Sequence, residues 1–271
     1  MSATPRRLLL HDTLATAPLV YPFTAGWVTP TFAVETRVHL AAINVGATDA
    51  ALIPAAEITL LQTTHQVVPD FAAVSGSLGT IALRAPVRPD EIERAPVRLL
   101  ETSGTAEILA RATLQPFYGI VPVSWHRGAT AAAQVVIVEG AEALREPEVG
   151  YAEDLCRAWL ILTGEPVVSH LLVIPTSWDE AVASPVLSAL RESSAVGHKR
   201  RRELRIAVAD HTGISRERVT TLFADMRWSL TDDDRHALLR LLQRGNRGSA
   251  YPYPWRIPYA GLVAATEADG L

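Results

Sequence analysis

The sequence predicts an α/β protein with two lobes. Up to Pro175, segments with the alternation of β-strands are interleaved with segments of helical periodicity, and from Ser177 onward the pattern is mainly helical. Proline-containing stretches at residues 85–89 and at Pro175 suggest that the chain crosses between the lobes twice. We therefore expect a largely parallel sheet flanked by helices, with a ligand cleft between the lobes.

The two expected crossings define the domain boundaries. Residues 1–86 and 175–271 are expected to form a discontinuous outer lobe, and residues 87–174 an inserted second lobe. The length of 271 residues is sufficient for two cores of ordinary size.

The elements follow from alternation, periodicity and turn residues. Strands are expected at residues 7–10, 31–40, 47–54, 64–74, 79–85 and 167–174, and residues 97–114 read as a buried strand, a turn and a helix. Further helices are expected at residues 153–162, ending at Gly164, at residues 179–193 and 199–210, after Ser215, and at residues 231–242. The tail at residues 251–259 is rich in proline, so it is expected to pack in an extended form.

The composition excludes several classes of protein. A hydrophobic fraction of 48% with 20% charged residues is that of a folded globular chain, so disorder is not expected. The net charge of −4 gives no electrostatic reason to expect nucleic acid or an anionic membrane as a partner. The single cysteine, Cys156, excludes an internal disulfide, and the eight histidines lack metal-binding spacing, so no metal is expected.

No stretch has the length of a secretory signal or of a membrane span. The apolar residues 8–10 are too few for a signal segment, which needs roughly 7–15 apolar residues. No window approaches the roughly 20 apolar residues of a membrane helix. We therefore expect a cytoplasmic protein.

The turn at residues 102–105 is the main candidate ligand site. It joins a buried strand to a helix, so backbone N–H groups and the positive end of the helix dipole are available to an anion. Ser103 and Thr105 add hydroxyl groups, and Gly104 allows a close approach. We expect a carboxylate or phosphate there. The alternative is that Ser103 only caps the helix.

Two other loops, residues 11–17 and 75–80, place small hydroxyl and glycine residues at strand ends that are expected to face the cleft. His11 is a candidate acid or base because it lies at a strand end beside Asp12, although we do not assign it that role. His170 lies inside an apolar strand and is interpreted as a core histidine.

The basic run at residues 198–202 begins a helix and has no aromatic residues interleaved, so it is interpreted as a solvated helix face. The sequence contains no Walker loop, no G-x-G-x-x-G and no G-x-S-x-G. These motifs would have indicated nucleotide binding, dinucleotide binding or a serine hydrolase.

Several stretches together resemble a known family. They are residues 49–57, the turn that contains Gly76 and Thr80, and residues 102–105, 137–144 and 159–166. Their order and spacing resemble the menaquinone-biosynthesis enzymes of the futalosine route, a family that contains chorismate dehydratase and 1,4-dihydroxy-6-naphthoate synthase. The helices at residues 215–242 resemble the dehydratase more than the synthase. The resemblance implies a bilobal, periplasmic-binding-protein-like fold of type II.

The resemblance also implies an activity. It is a hydro-lyase reaction that removes water from chorismate, giving 3-[(1-carboxyvinyl)oxy]benzoate, without a cofactor. Hydroxyl groups and helix N–H groups would hold the two carboxylates of this small-molecule substrate, and closure of the cleft would exclude water. A substrate carboxylate would serve as the base. The protein is expected to be a monomer or a homodimer.

The site residues implied by the resemblance include Thr80 as the catalytic residue, because it matches a serine of the family and keeps the hydroxyl. The substrate-binding residues would be Thr13, Ala15, Gly79, Ser103, Gly104 and Thr105. Ala15 stands where the dehydratases have the asparagine of an Asn-x-x-Pro turn. Alanine cannot form the hydrogen bonds of that asparagine through its side chain. Residues 11–13 are similar instead to an Asn-Asp-Thr turn of the synthase. A synthase-like enzyme and a non-catalytic solute-binding protein for a small carboxylate therefore stay open as alternatives.

Overall fold

The computed structural model describes residues 7–128, 134–254 and 256–260, which form two β-sheets with helices packed against them. The first sheet contains, in spatial order, β11 (Met226–Arg227), β4 (His65–Ser75), β10 (Val167–Pro175), β3 (Ala50–Pro54), β1 (Arg7–His11) and β2 (Ala33–Arg37). The second sheet contains β7 (Val121–Arg127), β6 (Arg94–Leu99), β8 (Val135–Glu139), β5 (Ile81–Ala85) and β9 (Tyr151–Asp154).

The helices of the described residues lie around these sheets. They are α1 (Ala17–Thr24), α2 (Ile58–Leu61), α3 (Gly104–Tyr118), α4 (Ala141–Leu144), α5 (Leu155–Thr163), α6 (Glu180–Lys199), α7 (Arg201–Thr212), α8 (Arg216–Asp225) and α9 (Asp232–Gly245). None of the described helices has both the length and the apolar character needed to cross a bilayer.

Both sheets are mixed, whereas we expected a largely parallel arrangement. β1 runs parallel to β2 and β3, but β10 runs antiparallel to β3 and β4. In the second sheet, β6 is parallel to β7 and β8, whereas β5 is antiparallel to β8 and β9. β5 and β10 are each the first strand that the chain forms after it passes from one sheet to the other. Neither is therefore linked to the preceding strand of the chain by a crossover within one sheet, which is the connection that makes neighbouring strands parallel.

The chain crosses between the sheets earlier than we expected. β5 belongs to the second sheet and β10 to the first, so the crossings lie at residues 76–80 and within residues 155–166. The expected boundaries at Pro86 and Pro175 are thus corrected. Each of these prolines lies at the end of a strand, where the missing N–H limits further pairing, and neither lies at a crossing.

The core of the first sheet is centred on β10. This strand is buried along its whole length, as the apolar composition of residues 167–174 indicated. α9 packs against both β10 and α3, so it connects the two sheets on one side of the molecule.

The helix ends follow capping rules. Ser103 caps α3, which ends at Gly119 with φ of +76°. α5 ends at Gly164 with φ of +75°, as the sequence predicted. Thr231 begins α9 through reciprocal hydrogen bonds with Asp234. The expected turn at residues 102–105 and its helix are therefore present, and they place the N-terminus of α3 at the boundary between the lobes.

Candidate ligand site between the lobes

A cavity of about 690 Å³ lies between the two sheets. Both lobes contribute to its wall, through residues 11–14 and 38–41 on one side and residues 100–104 and 139–142 on the other. α1, α7, Asn44, Glu57, Arg127 and Tyr251 also contribute to it. The size lies within the range of about 300–1,000 Å³ that is typical of small-molecule sites.

The N-terminus of α3 already holds a carboxylate, and this carboxylate belongs to the protein. The backbone N–H and the hydroxyl of Ser103 both donate hydrogen bonds to Glu139, at 2.6 and 3.0 Å. Burial raises the pKa of Glu139, and the two hydrogen bonds from Ser103 oppose this increase. An internal carboxylate therefore occupies the donors of Ser103, at the position where we expected the carboxylate or phosphate of a ligand.

Gly104 contacts the aromatic ring of Tyr251. A Cβ atom at position 104 would lie 2.3 Å from Cζ of Tyr251, so only glycine fits beneath this ring. The Tyr251 hydroxyl donates a hydrogen bond to Glu57 at 3.0 Å, and Glu57 also accepts one from the N–H of Ala42 at 3.0 Å. Burial raises the pKa of Glu57, against the effect of these two donors. The C-terminal segment, expected only to pack in an extended form, thus supplies part of the cavity wall; residue 255 lies outside the described residues.

Thr105 joins the lobes and does not line the cavity. Its hydroxyl accepts a hydrogen bond from the N–H of Ala56 at 3.1 Å and donates one to the carbonyl of Ser169 at 3.2 Å. Both partners belong to the first lobe, so this hydroxyl holds α3 in place and has no donor left for a ligand.

Thr13 lines the cavity beside His11, but Ala15 is fully buried away from it. The carbonyl of Ala15 accepts a hydrogen bond from the indole N–H of Trp228 at 3.1 Å. Ala15 therefore anchors the loop after β1 through its backbone.

Gly79 and Thr80 lie at the first crossing and are not part of the cavity wall. The N–H of Gly79 donates to Asp154 at 2.8 Å, and a Cβ there would lie 2.1 Å from the Sγ atom of Cys156. Thr80 is buried, and its carbonyl accepts a hydrogen bond from Gly140 at 2.8 Å. Because Gly140 lines the cavity, Thr80 supports the wall from behind instead of facing the ligand.

Two buried histidines, which the sequence did not bring together, form a hydrogen-bonded pair. Nδ1 of His11 lies 2.9 Å from Nε2 of His170, and Nε2 of His11 lies 2.9 Å from the carbonyl of Val38. Since a carbonyl only accepts, we assign the proton of His11 to Nε2. Burial lowers the pKa of His11 to about 4 and that of His170 well below its usual value. Both rings are therefore neutral near pH 7, and His11 faces the cavity.

The charges in the wall are mainly acidic. Among the described residues, Arg127 is the one arginine that lines the cavity; it pairs with Glu107 and donates to the carbonyl of Thr102 at 3.3 Å. The buried hydroxyl of Thr102 has no hydrogen-bond partner among the described residues. Acidic side chains of the wall are Asp12, Glu57, Glu101, Glu139 and Glu142. Burial raises the pKa of Asp12, which His211 partly opposes.

A metal is not suggested by this arrangement. Across residues 7–128, 134–254 and 256–260, no group of three or more His, Cys, Asp or Glu side chains is placed to hold a metal ion. Cys156 is free and buried.

Two mixed sheets, joined by two crossings and enclosing a cavity, define a periplasmic-binding-protein-like fold of type II, as the resemblance implied. The model of the menaquinone biosynthesis family matches residues 16–247. The chain therefore belongs to this family, which confirms the resemblance.

Solved structures share the fold at low sequence identity. A protein of Archaeoglobus fulgidus is 16% identical with a TM-score of 0.65, over 91% of this chain and 98% of its own. The zinc-bound ligand-binding component of an ABC-type import system from Staphylococcus aureus is 13% identical with a TM-score of 0.64, over 94% and 96%. The periplasmic aliphatic sulphonate binding protein of Escherichia coli is 12% identical with a TM-score of 0.58, over 94% and 93%. No curated protein matches the sequence significantly.

Proposed function

We propose that the protein is an enzyme of menaquinone biosynthesis that removes water from chorismate and forms 3-[(1-carboxyvinyl)oxy]benzoate. The observation that carries this proposal is the cavity of about 690 Å³ between the lobes of a chain from the menaquinone biosynthesis family. A biosynthetic role of this kind fits a cytoplasmic enzyme that acts as a monomer or a homodimer on a small carboxylate.

In this proposal, Arg127 binds one carboxylate of the substrate. Its side chain is 51% exposed, so guanidinium N–H groups that do not bond to Glu107 or Thr102 are accessible from the cavity. A guanidinium pairs with a carboxylate through two parallel hydrogen bonds, which would fix the orientation of the ring. Thr102, with its unpartnered hydroxyl, would add a neutral contact.

The second carboxylate would bind where Glu139 now lies. A substrate carboxylate can accept the hydrogen bonds of Ser103 only if Glu139 rotates away from these donors. The raised pKa of Glu139 favours this rotation, since a protonated carboxyl group accepts weaker hydrogen bonds from Ser103 and no longer repels an anion. When the lobes close, the substrate carboxylate would then replace that of Glu139 at the donors of Ser103.

The proposed reaction is a redox-neutral elimination. One ring C–H bond breaks and its electron pair completes the aromatic ring, while the ring C–O bond to the hydroxyl breaks. The ring proton passes to a substrate carboxylate, and the departing hydroxide takes a proton from Glu57 to leave as water. Burial raises the pKa of Glu57, which increases the fraction that carries the proton. Exchange with solvent restores both protonation states.

Two alternatives have some support. The lost asparagine at Ala15 and the His-Asp-Thr turn fit a synthase-like enzyme acting on a related ring. The solved proteins of similar fold include a ligand-binding component and a sulphonate-binding protein by their descriptions, and this supports non-catalytic binding of a small carboxylate.

Mass spectrometry of the purified protein mixed with chorismate tests the proposal. We expect a product lighter by one water, and a loss of activity in R127Q of roughly 10- to 100-fold, from one charged hydrogen-bonded contact. R94Q removes an exposed arginine of the same lobe that makes no ion pair with the described residues, so it should retain activity. If chorismate stays unchanged in all samples, the dehydratase proposal fails. Thermal stabilisation by chorismate without turnover would then favour the binding protein.

A further inference from the structure

A second concave surface lies between α7 and α8, away from the cavity between the lobes. Its volume is about 250 Å³, and it is lined by Arg201, Arg202, Arg205 and Arg216 together with Ile206 and Thr220. We call it the arginine groove. No carboxylate lines it.

The charges of the groove are poorly balanced within the described residues. Arg216 lies 3.4 Å from Asp210, but both side chains are 64% exposed, so the pair is weak. Arg201, Arg202 and Arg205 make no ion pair with the described residues. The Nε atom of Arg205 is also buried and has no acceptor. Buried donors are normally satisfied, so the described residues leave this guanidinium incompletely hydrogen-bonded as well as without an ion pair.

The sequence shows that the imbalance is local. Residues 199–218 contain seven Lys and Arg but three Asp and Glu, in a chain whose net charge is −4. Basic charge is therefore concentrated on this pair of helices against the overall charge of the protein. Mutual repulsion of the guanidinium groups disfavours the groove when it is empty.

We propose that the arginine groove binds a small oxyanion with at least two negative charges, of the phosphate or pyrophosphate class. The planar fork of arginine matches phosphate oxygens in pairs, and a multivalent anion neutralises several guanidinium groups at once. The volume lies below the roughly 300–1,000 Å³ of sites for larger organic ligands. No aromatic side chain lines the groove, whereas single-stranded nucleic acids bind on stacking platforms.

The groove is separate from the candidate substrate cavity. Residues 207–208 and 211–212 of α7 line the cavity, whereas residues 201–202 and 205–206 line the groove. The two sites thus share one helix, but the groove uses its N-terminal half and the cavity its C-terminal half. The proposal stands whether or not chorismate is the substrate.

Isothermal titration with inorganic phosphate and with pyrophosphate, at constant ionic strength set by chloride, tests the proposal. We expect saturable binding of one anion per chain, with pyrophosphate tighter than phosphate. R205Q should weaken binding roughly tenfold or more, and R205K, which keeps the charge but loses the fork, should weaken it less. The double variant R201Q/R202Q should also weaken binding. It alters two exposed side chains only, so it tests the groove without a change in a partly buried residue.

R157Q is the matched control, because Arg157 is an exposed helical arginine outside the groove. It should change the dissociation constant by less than about twofold. An absence of saturable binding, or an equal loss in R157Q, would overturn the proposal. Tighter binding of a short DNA duplex than of pyrophosphate, lost in the same groove variants, would instead assign the surface to nucleic acid and would also overturn it.

Discussion

The carboxylate of Glu139 accepts hydrogen bonds from both the backbone N–H and the hydroxyl of Ser103, at 2.6 and 3.0 Å. These contacts tie the end of β8 to the start of α3 across the second lobe. The protein therefore carries, at the N-terminus of α3, a group of the same chemistry as the ligand that we propose for it.

Replacing Glu139 with alanine should open this position to an external carboxylate. We expect E139A to unfold at lower urea concentration, with a loss of about 2 kcal/mol, because two charge-assisted hydrogen bonds disappear. Acetate should restore part of the stability in E139A but not in the wild type or in E93A, which removes an exposed glutamate of the same lobe. Equal effects of acetate on all three proteins would show that no anion site has been opened.

Acid should destabilise the protein through the pair of His11 and His170. Both pKa values are lowered in the folded state, so between pH 6.5 and about 4 the unfolded chain binds more protons and stability falls as pH falls. For His11 alone the loss between pH 7 and pH 5 is about 2 kcal/mol.

Urea unfolding at pH 7 and pH 5 checks this pH dependence. The double variant H11Q/H170Q should lose most of the difference between the two pH values, whatever its stability at pH 7. H198Q, which removes an exposed histidine, should keep the difference. A double variant with the full pH dependence of the wild type would contradict the role of this pair.

Gly104 and Tyr251 should be energetically coupled. G104A should destabilise the protein by about 1–3 kcal/mol, because its Cβ would lie 2.3 Å from the Tyr251 ring. In the Y251A background the same change should be neutral or stabilising, since alanine is favoured over glycine in a helix. A double-mutant cycle measures the coupling, and Y253A, at an exposed tyrosine of the same segment, provides the control cycle. Additive effects in the Tyr251 cycle would argue against this contact.

Asp234 should matter far more than its neighbour Asp233. The carboxylate of Asp234 is 1% exposed and accepts hydrogen bonds from Arg227 at 2.7 and 2.8 Å and from the N–H and hydroxyl of Thr231. D234A should cost about 3 kcal/mol of unfolding free energy, because it leaves these donors unpaired. D233A, at an exposed position of the same helical turn, should change stability by less than about 0.5 kcal/mol. Chemical unfolding of both variants measures the two losses in unfolding free energy, and equal losses would contradict the special role of Asp234.

Local patterns predicted most of the helices and several strands. The run around β10, the capped start of α3 and the stop of α5 at Gly164 are each specified by residues close in sequence. The crossings were misplaced because proline marks the end of a strand equally well whether or not the chain then changes lobes. Sheet membership depends on partners far away in the sequence, which no local signal reports.

The candidate site was predicted in part. Thr13, Ser103 and Gly104 line the cavity as expected, but the donors of Ser103 are bonded to Glu139, 36 residues away. The contact of His11 with His170 spans 159 residues, and that of Tyr251 with Glu57 spans 194. Such contacts follow from tertiary packing, so residue types alone could suggest the chemistry but not which side chains meet.

Because Tyr251 lies near the C-terminal end of the described residues, the cavity wall is completed late in translation. The segment that carries this ring is anchored by main-chain hydrogen bonds between Val67 and residues 258 and 260, each 2.8 Å long. A ribosome exposes the rest of the cavity wall well before this segment emerges, so during synthesis the chain passes through a stage in which Glu57 and the start of α3 are uncovered. Fusions or truncations near residue 251 should therefore be designed as changes to the cavity wall.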